Sequence, residues 1–197
     1  MTAQRTRGFG VFENLLSRRR AREARRLLQT APSRHRILDI GCGQYGAFLR
    51  SVSFQEKFGV DKLPPIINND NNITYCQHDV VRNTILPFPK DFFNAITLLA
   101  VIEHIDIYSA RALLHEIYRI LKPQGVAVIT TPAVGTGNIL NILAHTRLLS
   151  NIEIKEHVHE YGSMELQLML VDARFPKDGI VYGRFECRLN QWVRAIK

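Results

Sequence analysis

The sequence predicts an α/β fold: a doubly wound, mostly parallel sheet of seven strands whose last two form an antiparallel C-terminal pair. Three observations carry this. Short apolar runs at 36–40, 57–60, 73–76, 93–99 and 126–131 are separated by helical or polar turn segments, the alternation of a parallel sheet covered on both faces. The first run ends in Gly41-Cys42-Gly43, and the carboxyl ends of such strands are where these sheets receive ligands. The final runs, 179–185 and 191–196, lie too close together for a crossover helix, so they pair antiparallel.

Taken in order, residues 9–28 are helical, with Ser17, Ala21, Ala24 and Leu28 on one slim face. Arg18, Arg19, Arg20, Arg22, Arg25 and Arg26 cover most of the rest. Residues 30–36, with Pro32, connect into the first strand. A helix is expected from about 46 to 54, before the second strand, which ends at Asp61. A polar turn at 68–72 precedes the third strand and His78-Asp79. Residues 110–121 place Leu113, Leu114, Ile117, Ile120 and Leu121 at helical spacing and stop at Pro123. Gly125 then opens the fifth strand. Beyond Pro132 the expectation is a helix at 137–149, a loop at 150–161 and a helix at 163–171. The chain is thus read as a basic helical arm, residues 1–35, and one α/β domain, residues 36–197.

At 197 residues, 46% hydrophobic and 22% charged, the composition is that of an ordinary soluble globular domain. The longest apolar stretch, 95–102, is interrupted by Thr97 and too short to cross a bilayer. The N-terminal arginines are not followed by an apolar segment and cleavage site, so no secretory signal is expected. Cys42, Cys76 and Cys187 form no C-x-x-C pair, against both a disulfide framework and a zinc site. The expected location is cytoplasmic, peripheral at the membrane if the arm binds lipid. Residues 1–36 hold ten Arg and two Glu, so the whole net charge of +8 sits there and the body is neutral. Such an arm is either a solvated helix or a grip for phosphates of nucleic acid, anionic membrane or substrate.

The turn after the first strand reads Leu38-Asp39-Ile40-Gly41-Cys42-Gly43-Gln44-Tyr45-Gly46, and Asp61 follows twenty residues after Gly41. A carboxylate at that second strand end can accept hydrogen bonds from ribose hydroxyls. A glycine turn alone suits a nicotinamide dinucleotide equally well. Asp39 tips the balance: its charge beside the turn would repel a pyrophosphate, whereas S-adenosylmethionine carries an ammonium and a sulfonium and no phosphate.

Five blocks in order extend the pattern: 37–43, then Gly59-Val60-Asp61, Cys76-Gln77-His78-Asp79-Val80, 98–104 through Ile102-Glu103-His104, and Leu121-Lys122-Pro123-Gln124-Gly125. On these residues the chain resembles the class I S-adenosylmethionine-dependent methyltransferases, in particular the small-molecule, ubiquinone-biosynthesis-like (methyltransferase type 11) group. The resemblance runs from about Arg36 to Pro132 and implies a Rossmann-like sheet and S-adenosyl-L-methionine as cofactor. It implies that Asp39 and the backbone of Gly41, Cys42 and Gly43 hold the cofactor's amino-acid end. Asp61 would bind the ribose, with Lys62 beside the adenine. Asp79 and the Val80 amide would read the adenine edge, and the backbone near Ala100 would meet the methionine portion. An ordinary helix N-cap is the alternative for Asp79. Three positions depart from the group's pattern: Tyr45 precedes a late third glycine, Gly46; Asn94 replaces an aspartate; Arg174 replaces a glycine, so that its turn is expected to be built differently.

Methyl transfer from a sulfonium is an in-line displacement in which alignment does much of the work. A hydroxyl acceptor would also want a base, for which His104, His157 and His159 are candidates. His104 reads better as a structural or cofactor-shell residue. His157-x-His159 has metal-ligand chemistry, but two imidazoles alone do not make a site, and no metal is expected. Tyr161 either lines the acceptor pocket or packs at the start of the last helix. The expected function is methylation of a small or lipid-linked metabolite at oxygen, nitrogen or carbon. The rivals are an RNA or protein methyltransferase using the arm, a non-catalytic S-adenosylmethionine-binding partner protein, and an NAD-dependent enzyme, which Asp39 disfavours.

Overall fold

The computed structural model describes residues 11–66, 72–135 and 158–197. The expected helix at 137–149, most of the following loop and His157 lie outside the described residues. The strands are β1 Arg36–Ile40, β2 Glu56–Asp61, β3 Ile73–Gln77, β4 Phe93–Leu99, β5 Leu121–Pro132, β6 Ile180–Phe185 and β7 Asn190–Ile196. They form one seven-stranded sheet in the order β3-β2-β1-β4-β5-β7-β6. The first five pair in parallel, and β7 lies antiparallel between β5 and β6. The chain winds outward from β1 to β3, then returns to place β4 on the other side of β1. That reversal between β1 and β4 opens the crevice in which doubly wound sheets bind ligands.

The helices are α1 Val11–Leu27, α2 Ala47–Arg50, α3 Ile107–Ile120 and α4 Ser163–Asp172. Successive strand residues face opposite sides, which divides the core in two. Ile37, Ala95, Val126 and Val128 face Ala24 and Leu27 at the end of α1, Leu28 just after it, and Phe48 and Leu49 of α2. Leu38, Ile40, Ile96, Leu98 and Ala127 face Leu113, Leu114 and Ile117 of α3 and Leu166 and Leu170 of α4. Burial of a full aliphatic side chain stabilises by about 1.5–3 kcal/mol, so the last turn of α1 is part of the domain's core and not a loose appendage. Its guanidiniums point elsewhere: Arg18, Arg19, Arg22 and Arg25 are exposed, while Arg26 pairs with Glu23 and lies over the Trp192 ring.

Three elements differ from their expected form. The helix anticipated over 46–54 is a single turn, because Ser51 Oγ donates to the Phe48 carbonyl and closes it early. β5 begins at Leu121 rather than 126; its pairing with β4 slips between Phe93 and Ala95, and Gln124 adopts φ 62° to absorb the irregularity. Arg174 was expected to change the turn after α4, but it takes the left-handed conformation itself, at φ 76°. The hydrogen bonds from Arg174 N to Val171 O and Phe175 N to Leu170 O close the same kind of helix end a glycine would make. Burying Phe175 holds the turn despite a local cost of about 1 kcal/mol.

Candidate functional site

The carboxyl ends of β1 to β4 bring the expected cofactor residues into one chain of contacts. Gly41 N and Cys42 N both donate to Val60 O, which ties the glycine turn to β2. Gly41 has φ +75°, and a Cβ on it would stand 2.3 Å from Val101 Cγ2. The turn therefore needs glycine for its conformation and for the close approach of the segment that follows β4. Gly43 (φ 66°) donates from its N–H to Asp61 Oδ2 at 2.8 Å, and Leu63 N donates to Asp61 Oδ1 at 3.0 Å. Each carboxylate oxygen has lone pairs to spare beyond these bonds. The Asp61 carboxylate is thus oriented by the backbone at the end of β2.

Asp39 is 3% exposed, and its Oδ1 accepts from Thr97 Oγ1 at 2.6 Å. Thr97 is its cross-strand neighbour on β4. A carboxylate held by a hydroxyl beneath the glycine turn suits a cationic ligand and opposes a pyrophosphate. His78 N donates to Asp61 O, so Asp79 follows directly beside the Asp61 strand end. Asp79 Oδ1 accepts from Val81 N at 3.0 Å, and Arg82 N and Asn83 N return to Asp79 O. This is a local turn with a cap-like bond, rather than the start of an extended helix. Lys62 is exposed and Val80 is buried. Ala100 adopts φ 56° and donates to Thr130 O at 2.9 Å, which bends the chain out of β4 next to Val101 and Gly41.

The turn after β4 meets the segment before α4. Ile102–His104 form a 3-10 turn. The Glu103 carbonyl accepts from Val158 N at 2.8 Å and His159 N at 3.3 Å. His104 and His159 are thereby brought onto neighbouring backbone. His159 Nε2 lies 3.1 Å from Glu165 Oε1, and its ring packs on Tyr161 with centroids 4.4 Å apart. Tyr161 is fully buried and donates its hydroxyl to Ile105 O at 2.7 Å. Burial first, then Glu165, Asp106 and Glu103, push its phenol far above the ordinary value. Tyr161 is therefore a neutral packing residue and not a base. Thr97 and Val101 were not singled out from sequence; the one available signal was a hydroxyl in the otherwise apolar run 95–99 opposite Asp39.

A family model described as a methyltransferase domain matches residues 12–175. The chain belongs to that family. Its cofactor is S-adenosylmethionine. The sphingolipid C9-methyltransferase of Komagataella phaffii is 30% identical over 109 residues, which cover 46% of this chain and 22% of that protein. The human protein named "Probable tRNA methyltransferase 9B" is 33% identical over 53% of this chain and 23% of its own length. A protein of Mycolicibacterium smegmatis named as a probable S-adenosylmethionine-dependent methyltransferase is 28% identical over 82% of this chain and 64% of its own. The chain thus spans less than two thirds of each of these relatives. Among solved structures, an N-methyltransferase from Bradyrhizobium japonicum in complex with S-adenosyl-L-homocysteine superposes with TM-score 0.65 at 16% identity, over 96% of this chain and 89% of that one. That likeness is one of fold.

Proposed function

We propose that this chain transfers a methyl group from S-adenosylmethionine to a small or lipid-linked metabolite. The observation that carries the reading is the pair of oriented carboxylates at the crevice: Asp39 held by Thr97 under the turn, and Asp61 held by Gly43 and Leu63 at its rim. Asp61 accepts from the ribose hydroxyls, and Lys62 flanks the adenine. Asp79 takes the adenine amino group. The Val80 N–H, which makes no hydrogen bond among the described residues, donates to a ring nitrogen. Asp39 and the backbone of Gly41, Cys42 and Gly43 hold the ammonium and carboxylate end, and the bend at Ala100 seats the methionine chain. When bound, the cofactor supplies a sulfonium-activated methyl group. The protein's part is to align the acceptor with it and to exclude water. His104 and His159 are the candidate bases for a hydroxyl acceptor.

The lipid-linked half of the reading draws on the sphingolipid-modifying relative and on the exposed guanidiniums of Arg18, Arg19, Arg22 and Arg25. Anionic headgroups would hold these, and a lipid-linked acceptor would then be presented at the surface. The tRNA-methylating relative favours a second reading, in which the same arginines grip RNA phosphates. The experiment that separates them is release of S-adenosylhomocysteine from the full chain supplied with a lipid extract, a water-soluble metabolite extract or total tRNA. Product formed with either of the first two supports the proposal. Product formed with tRNA alone transfers it to the second reading.

A further inference from the structure

Four carboxylates surround the start of the segment that leads into α4, and three of them are already engaged. Asp106 caps α3 by accepting from Tyr108 N and Ser109 N at 3.0 and 3.1 Å. Glu160 accepts from Gly135 N at 3.1 Å. Glu165 meets His159 Nε2 at 3.1 Å with one oxygen and Gly162 N at 3.3 Å with the other. Glu103 is the exception: it is 3% exposed, and its buried Oε2 has no hydrogen-bond partner among the described residues. Its charge lies close enough to Tyr161 to act on that phenol.

A carboxylate oxygen buried without a donor is strongly disfavoured, because desolvation is not compensated. The turn that buries it is nonetheless firmly built. Ile102 and Ile105 on either side are fully buried, and the Glu103 carbonyl anchors Val158 and His159. The turn also begins at Val101, which lies against Gly41 of the cofactor cradle. The arrangement has the form of a recognition group whose partner arrives with the ligand. We propose that Glu103 Oε2 reads the methyl acceptor by accepting a hydrogen bond from its N–H, so that the acceptor is an amine. This rests on the methyltransferase reading above and narrows it from oxygen, nitrogen or carbon to nitrogen. A carboxylate or phenolate acceptor would meet a like charge in the same place, and Asp106, Glu160 and Glu165 deepen that bias.

The test compares wild type with Glu103→Gln, using octylamine, octanol and octanoate as probes for protein saturated with S-adenosylhomocysteine. Octylammonium is expected to bind the wild type in preference to the other two, and to lose at least tenfold in affinity in the variant, with S-adenosylhomocysteine binding unchanged. Without ligand, Glu103→Gln is expected to melt at or above the wild-type temperature, since the oxygen it replaces has no donor among the described residues; a purely structural carboxylate would lower it. Equal octylammonium binding by both proteins, tighter octanoate binding, or no amine binding by wild type overturns the inference while the cofactor reading stands. Failure of S-adenosylhomocysteine to bind wild type overturns both.

Discussion

A single methyl group at the glycine turn tests how tightly the residues after β4 close on it. Gly41→Ala would put a Cβ 2.3 Å from Val101 Cγ2 at a left-handed φ. The substitution is expected to destabilise by about 1–3 kcal/mol, read from urea denaturation. Adding Val101→Ala should recover the overlap and leave the backbone strain of about 1 kcal/mol. If the double variant is no better than the single, Val101 does not close on the turn as described. At this scale the sequence displayed the residues but not their partners. Asp39, Asp61 and the glycines were legible because their types and spacing are chemically restrictive. Thr97 as Asp39's partner, and the empty oxygen of Glu103, depend on which strands become neighbours and on how the chain bends at Ala100. No local pattern encodes either.

Glu116 of α3 shows how one helix is locked to the loop before β4. Its Oε1 accepts from Leu86 N and Arg119 Nη2 and its Oε2 from Arg119 Nε, while Arg119 also donates to Phe88 O. Burial works to raise the Glu116 carboxyl, but the Arg119 and Leu86 bonds outweigh it and the group lies below its ordinary value. A carboxyl lowered in the folded state contributes stability above its unfolded pKa, near 4.3, that is lost as pH falls through the folded value. Glu116→Gln is therefore expected to melt below wild type at pH 7 and to converge with it as the pH falls below about 4. A gap that stays constant from pH 7 to 3 would contradict the lock. At the end of α4, Arg174→Gly should stabilise by several tenths to about 1 kcal/mol by removing a side chain from φ 76°, read from the urea midpoint. Elements with an extended periodic pattern were the legible ones: the α3 stripe of Leu113, Leu114, Ile117 and Ile120 is buried as its spacing implies. Boundaries were not. The shortness of α2 and the early start of β5 arise from a hydroxyl-to-carbonyl bond and a slipped strand register, which compete with propensity and leave no periodic trace.

Across the whole molecule, the mostly parallel sheet and the antiparallel closing pair follow from alternation and connection length, and both were legible; the strand order was not. The uneven charge was legible as well, but its consequence is structural in a way composition alone does not show. The last turn of α1 is buried while Arg18, Arg19, Arg22 and Arg25 stay exposed, so cutting the arm away would remove core side chains along with charge. The informative change is Arg→Gln at those four positions. It is expected to leave the melting temperature nearly unchanged and to weaken binding to vesicles containing phosphatidylserine, each arginine near such a surface contributing about 1 kcal/mol. Equal vesicle binding by the two proteins would leave the arginines a solvated face.

The most direct measurement is calorimetric titration of wild type, Asp39→Ala and Asp61→Ala with S-adenosylmethionine, S-adenosylhomocysteine and NAD. Both S-adenosyl ligands are expected to bind wild type, with Asp61→Ala losing about 1–3 kcal/mol as its charge-assisted hydrogen bonds disappear and Asp39→Ala also weakened. Binding of NAD alone, or S-adenosylmethionine affinity indifferent to both substitutions, would contradict the site placed at the ends of β1 and β2.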